Sequence, residues 1–114
     1  MHELSIAENI VEIAVAHLRK DGGTAVTEIE LEIGTLAGIE IDALTFAMDA
    51  ATKNTPLQNA EVRILTVQGR LHCNVCGVEF DAEDFFLPCP SCGGFDNTAL
   101  KGQEMRVKSL LVQN

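Results

Sequence analysis

The 114-residue chain has no tryptophan, no tyrosine and five phenylalanines. A core built from it must be mostly aliphatic, although a hydrophobic content of 46% is ordinary for a globular protein. Basic residues are scarce as well: 8 Lys and Arg stand against 17 Asp and Glu, for a formal net charge of −9 and a pI of about 4.6. A field of that sign repels phosphate backbones and argues against a nucleic-acid partner. Long apolar runs are missing too. The first apolar stretch lacks a basic leader and is interrupted by Glu8, Asn9, Glu12 and His17, so neither a signal peptide nor a membrane span is expected. The expected location is the cytoplasm, where thiols stay reduced, and the four cysteines then call for something other than disulfides. A chain this short builds one modest core, or one core and a small satellite.

Ser5-Ile6-Ala7-Glu8 reads as a capping box with Ser5 as N-cap, which leaves residues 1–4 ahead of the first helix. Ile6, Ile10, Ile13, Ala14 and His17, with Ala7, Val11 and Leu18, make a broad apolar face. Arg19 and Lys20 suit the last turn, and Gly22-Gly23 stop the helix. His17 reads as a packed or helix-C-terminal histidine. Thr27 to Ile33 alternates as a half-buried strand. Asp42 reads as the N-cap of a second helix, with Ile41 and Phe46 as a hydrophobic staple, Leu44, Ala47, Met48 and Ala51 facing inward, and Pro56 past its end.

A second strand through Val62 to Val67 changes phase near Ile64-Leu65, as at a bulge or under two-sided burial. Gln103 to Gln113 again reads as strand and needs a sheet to join. The chain is therefore expected to leave its main domain near residue 69, build a satellite and return, with Gly69 and Gly102 as hinges. The expected fold is α+β: a small α/β domain of two helices on a three-stranded sheet (1–68 and 103–114), with an inserted zinc-ribbon-like domain (69–102).

Cys73-Asn74-Val75-Cys76-Gly77 and Cys89-Pro90-Ser91-Cys92-Gly93 are two copies of one unit, with twelve residues between Cys76 and Cys89. Two residues between thiols let one knuckle occupy two corners of a tetrahedron. Glycine after the second thiol allows the left-handed turn that aims N–H groups at sulfur. Two knuckles make a closed tetrathiolate site for structural zinc with no position left for a catalytic water. Iron in a rubredoxin-like site shares the pattern but usually rests on an aromatic core, which Phe80, Phe85, Phe86 and Phe95 supply only in part. A redox pair is usually a single CxxC at a helix start. His72 beside Cys73 more simply belongs to the preceding strand than to a set of four thiolates.

The opening Met1-His2-Glu3 raises a separate question. His2 is too large for efficient removal of Met1, so the free α-amine, the His2 amide nitrogen and its imidazole can close two fused chelate rings on one metal. Glu3 offers a fourth donor through its amide or its carboxylate. A planar, nitrogen-rich array suits Ni(II) or Cu(II) better than zinc. On spacing alone an idle terminus is the commoner reading of such a histidine.

The start Met-His-Glu-Leu-Ser, the strand end Ile33-Gly34-Thr35-Leu36, the paired knuckles and Gly102-Gln103-Glu104-Met105-Arg106-Val107 together resemble the HypA/HybF family of hydrogenase nickel-incorporation proteins. The resemblance covers essentially the whole chain. It implies a non-enzymatic nickel metallochaperone for [NiFe]-hydrogenase maturation, serving urease as well in some members. It implies nickel on Met1, His2 and Glu3, and zinc on Cys73, Cys76, Cys89 and Cys92. Some relatives use an acid near the start of the second helix, Asp42 here, although a capping role already accounts for it. The implied partners are a HypB-type GTPase and the hydrogenase large subunit or its maturation complex, with no nucleic acid and no membrane. The rival readings are a zinc-ribbon protein–protein adaptor with no nickel role and a small redox enzyme using a CxxC pair.

Overall fold

The computed structural model describes residues 3–114, so Met1 and His2 lie outside the described residues. The element order is α1 (Glu3–Lys20), β1 (Ala25–Gly34), α2 (Ile41–Ala51), β2 (Glu61–Val67), β3 (Gly69–Cys73), β4 (Glu79–Ala82), β5 (Asn97–Lys101) and β6 (Met105–Gln113). One three-stranded sheet has the order β2-β1-β6 and the other β4-β3-β5. The chain divides into two compact units. One holds the chain up to Leu31 with Ile39–Leu65 and Arg106–Asn114, and the other holds Glu32–Gly38 and Thr66–Met105. No helix among the described residues is long and apolar enough to cross a membrane.

In the first unit α1 and α2 pack together. α1 buries Ile6, Ala7, Ile10, Val11, Ala14 and Leu18, which recur at helical spacing, and α2 adds Leu44, Ala47 and Met48. Val26, Ile29 and Leu31 of β1, with Leu57, complete this aliphatic core. α1 stops as expected: Gly22 takes φ +73, its N–H donates to the Arg19 carbonyl, and Gly23 N–H reaches back to the Leu18 carbonyl. β2 shows adjacent half-buried residues at Ile64 and Leu65, the phase change read from the sequence.

Several expectations need correction. α1 begins at Glu3, so Ser5 lies inside its first turn and Glu3 and Leu4 are helical rather than ahead of the helix. An acid in the first turn favours that earlier start, because it meets the positive end of the helix dipole. Glu40, not Asp42, is the N-cap of α2, and no side chain of its own caps it. The staple also fails, since Phe46 is 78% exposed. Of the two readings of His17, the helix-C-terminal one holds and the packed one does not: it is exposed in the last turn of α1.

The second unit has its own sheet. β3 is central, pairing antiparallel with β4 (Gly69 opposite Ala82, His72 opposite Glu79) and with β5 (Leu71 opposite Ala99, Cys73 opposite Asn97). Alternation along β3 buries Gly69, Leu71 and Cys73, and Leu71 and Cys73 join Leu36, Phe80, Ala82 and Cys89 in a small core. Two stretches quoted above for their sequence turn out to be bonded to each other. Gly34 N–H donates to the Glu104 carbonyl at 2.8 Å and Leu36 N–H to the Gly102 carbonyl at 2.7 Å. Thr35 Oγ1 accepts from Gly69 N–H and donates to the Ala82 carbonyl. A methyl at Gly34 would collide with Gly102, and one at Gly102 with the backbone of Gly69. The glycines read as hinges thus sit in a tight three-strand crossing that admits no side chain.

Candidate metal centre

Each knuckle is built by its own backbone. In the first, Cys73 N–H donates to the Val78 carbonyl and Gly77 N–H to the Cys73 carbonyl. In the second, Cys89 N–H donates to the Gly94 carbonyl and Gly93 N–H to the Cys89 carbonyl. Gly77 and Gly93 take φ +82 and +74, the left-handed turn expected of them. The first knuckle is also tied to β5, because Asn74 Nδ2 donates to Asp96 Oδ1 and Thr98 Oγ1.

The two turns bring four thiols together. Cys73 Sγ lies 3.6 Å from Cys92 Sγ, and Cys76 Sγ lies 3.6 Å from Cys89 Sγ. All four sulfurs fall within 4.8 Å of one another. Disulfide sulfurs would stand about 2.05 Å apart, and all four cysteines are free. Four sulfurs about 2.3 Å from a central tetrahedral metal would be about 3.8 Å apart, so the cluster fits one ion. Cys73 and Cys89 are buried and Cys76 and Cys92 exposed, so each knuckle has one inner and one outer thiol.

The N–H groups within each turn split the thiols electrostatically. The Cys76 N–H, 3.5 Å from Cys73 Sγ, lowers the Cys73 thiol to about 6, with help from the Val75 N–H. The Cys92 N–H likewise lowers Cys89. Cys76 rises to about 11, because the adjoining Cys89 thiol and burial outweigh the pull of the Val78 N–H. Cys92 rises in the same way, the Gly94 N–H being outweighed by Cys73 and burial. The inner thiol of each knuckle is the readier to ionise, and a bound divalent ion favours the ionised form of the other two. His72 is no member of the cluster. As a strand neighbour of Cys73 it points to the opposite face of β3.

Of the residues expected to hold nickel, Met1 and His2 lie outside the described residues, and Glu3 opens α1. Glu3 Oε2 accepts a hydrogen bond from Glu40 N–H at 3.2 Å. The Glu3 carboxylate therefore supplies, from another helix, a negative partner at the uncapped start of α2. Asp42 sits in the first turn of that helix. Sequence reasoning missed Glu40, and its only signal was an acid two positions ahead of the supposed cap.

The family model for hydrogenase/urease nickel incorporation, metallochaperone, HypA, matches residues 1–112. Among curated relatives, the hydrogenase maturation factor HypA of Parabacteroides distasonis is 42% identical over 113 residues, covering 99% of this chain and 98% of the relative. The factor of the same name from Geobacter metallireducens is also 42% identical over 113 residues, covering 99% of this chain and all of the relative. The solution structure of the Ni metallochaperone HypA from Helicobacter pylori shares the fold, with a TM-score of 0.70, 20% identity, and 99% and 98% of the two chains covered.

Proposed function

This chain belongs to the HypA family of hydrogenase/urease nickel-incorporation metallochaperones, and we propose that it binds Ni(II) at its N-terminus and delivers it to a maturing [NiFe]-hydrogenase. The observation that carries the reading is a family match over residues 1–112, which takes in His2 and all four cysteines. The nickel donors in this reading are the Met1 amine, the His2 amide nitrogen and imidazole, and Glu3. Glu3 opens α1 directly after His2 in the sequence, which supports its amide as the fourth nitrogen of the chelate, while its carboxylate accepts from Glu40 N–H.

The four cysteines hold zinc in this reading, and its role is structural. Four thiolates close the coordination sphere, so the ion organises residues 69–102 and activates no water. Nickel is carried by 1–68 with 103–114. Such an open donor set on a chain end gives its cargo up more readily than a closed cage would, which delivery requires. The recipients are a HypB-type GTPase and the hydrogenase large subunit or its maturation complex in the cytoplasm, with urease as a second client. His2→Ala tests the site. Nickel titration should show loss of the high-affinity equivalent, while zinc content and circular dichroism match the native protein. One Ni(II) per chain bound at native affinity would remove His2 from the site.

A further inference from the structure

Aromatic residues are few in this chain, and three of its five phenylalanines are spent on the surface: Phe46 is 78% exposed, Phe86 84% and Phe95 70%. Phe86 and Phe95 share one groove of about 510 Å³ in the second unit, where Leu36 and Phe85 add apolar lining. Leu36 and Phe85 also pack into the small core beneath, so one wall of the groove is fixed. Asp84 Oδ1 accepts from Phe86 N–H at 2.8 Å, which holds the turn that exposes the Phe86 ring.

The rim of this groove is acidic. Glu79 and Asp81 on β4 share one cation, Arg70, at 3.7 and 2.7 Å. Glu83 and Asp84, which line the groove, form no ion pair among the described residues. Asn97, also in the lining, gives its Nδ2 to the Leu87 carbonyl, and its enclosed Oδ1 has no hydrogen-bond partner. The groove thus combines exposed aromatic rings, two uncompensated carboxylates and an unsatisfied acceptor. Exposed aromatics are the usual anchors of protein interfaces, and an acidic rim selects the charge of what approaches. A net charge of −9 opposes a second copy of this chain, and an acidic rim opposes nucleic acid and anionic lipid alike.

We infer that this groove docks a protein segment carrying a bulky apolar side chain with a lysine or arginine within a residue or two of it. The apolar group packs against Phe86 and Phe95, and the cation meets Glu83 and Asp84. This partner site uses none of the proposed nickel ligands and goes beyond the function proposed above.

The probe is a random-peptide display library selected against the zinc-loaded full-length protein, followed by calorimetry and ¹⁵N amide-shift mapping with the enriched peptides. Selection should enrich an aromatic or aliphatic residue flanked by Lys or Arg, with shifts at residues 35–38, 83–86 and 95–97. Phe86→Ser and Phe95→Ser, both at exposed positions, should each weaken binding about tenfold. Glu83→Gln with Asp84→Asn should weaken it less and abolish its salt dependence. Zinc content equal to native certifies that each variant is folded. Peptides without the apolar–basic pattern, shifts on another face, or unchanged affinity in Phe86→Ser would overturn the inference. So would self-association abolished by Phe86→Ser, which would assign the groove to a second copy. Nickel titration of the same variants keeps the two readings apart, because the groove can fail with nickel binding intact and the reverse.

Discussion

The two compact units bury very different amounts of side chain. The first places Ile6, Ile10, Val11, Leu18, Val26, Ile29, Leu31, Leu44, Met48 and Leu57 out of solvent. The core cluster of the second contains Leu36, Leu71, Phe80 and Ala82 as its ordinary apolar members, and its two other buried residues are thiols. Full burial of one large aliphatic or aromatic side chain contributes about 1.5–3 kcal/mol. The first unit can rest on such burial, whereas the second has too little of it and depends on the four-cysteine site. In the proposed reading the difference separates two uses of metal in one small chain. In the account proposed here, the knuckles need a metal to fold, and the N-terminus needs a fold to present a metal.

Removing one thiolate should break that comparison most severely. Cys73→Ala takes away an inner ligand, and a structural tetrathiolate zinc contributes on the order of 10 kcal/mol to the segment it organises. Zinc should be lost and residues 70–102 become protease-sensitive, while helical circular dichroism from α1 and α2 persists. Stoichiometric zinc with unaltered proteolysis would mean that the second unit stands without the full ligand set.

The glycine crossing offers a smaller effect of a different kind. Alanine at Gly102 would need φ +108 and would press a methyl against Gly69, so Gly102→Ala should cost about 3 kcal/mol. Gly22→Ala is the control, because Gly22 has φ +73 but nothing within 4 Å of the added carbon, and it should cost only about 1 kcal/mol. Urea midpoints of the zinc-loaded proteins give the difference. Equal shifts would mean that the crossing adds nothing beyond backbone strain.

At the proposed nickel end, Glu3 gives the finest distinction. Its carboxylate accepts from Glu40 N–H, and a glutamine carbonyl can accept the same bond. Glu3→Gln should therefore keep nickel affinity within about twofold of native, whereas Glu3→Ala should lower it about fivefold, roughly 1 kcal/mol. Equal losses in both variants would instead make the carboxylate a nickel ligand.

Local chemistry made part of this molecule legible. The knuckles, their left-handed Gly77 and Gly93, the phase change at Ile64-Leu65 and the Gly22-Gly23 stop each depend on neighbours a few residues away. The errors arose where a distant residue decides. Ser5 and Asp42 are both good caps by type, yet α1 starts earlier, and the start of α2 takes its charged partner from Glu3, 37 residues away. Phe46 fitted a staple only if Asp42 was the cap, and it is exposed because Leu44, Ala47 and Met48 form the buried face of α2. Gly34, Gly69 and Gly102 looked like punctuation or hinges. Their real constraint is contact with one another, and no spacing rule encodes that.

In the proposed reading the Met1 amine is a nickel ligand, and adding residues tests this more directly than removing them. A short peptide placed ahead of Met1 turns the α-amine into an ordinary amide and leaves every side chain intact. A site that needs the amine loses a ring-closing donor, so nickel titration at one pH should show affinity about tenfold or more below native, with zinc content unchanged. Equal affinities for the extended and native proteins would contradict the account and strike Met1 from the site.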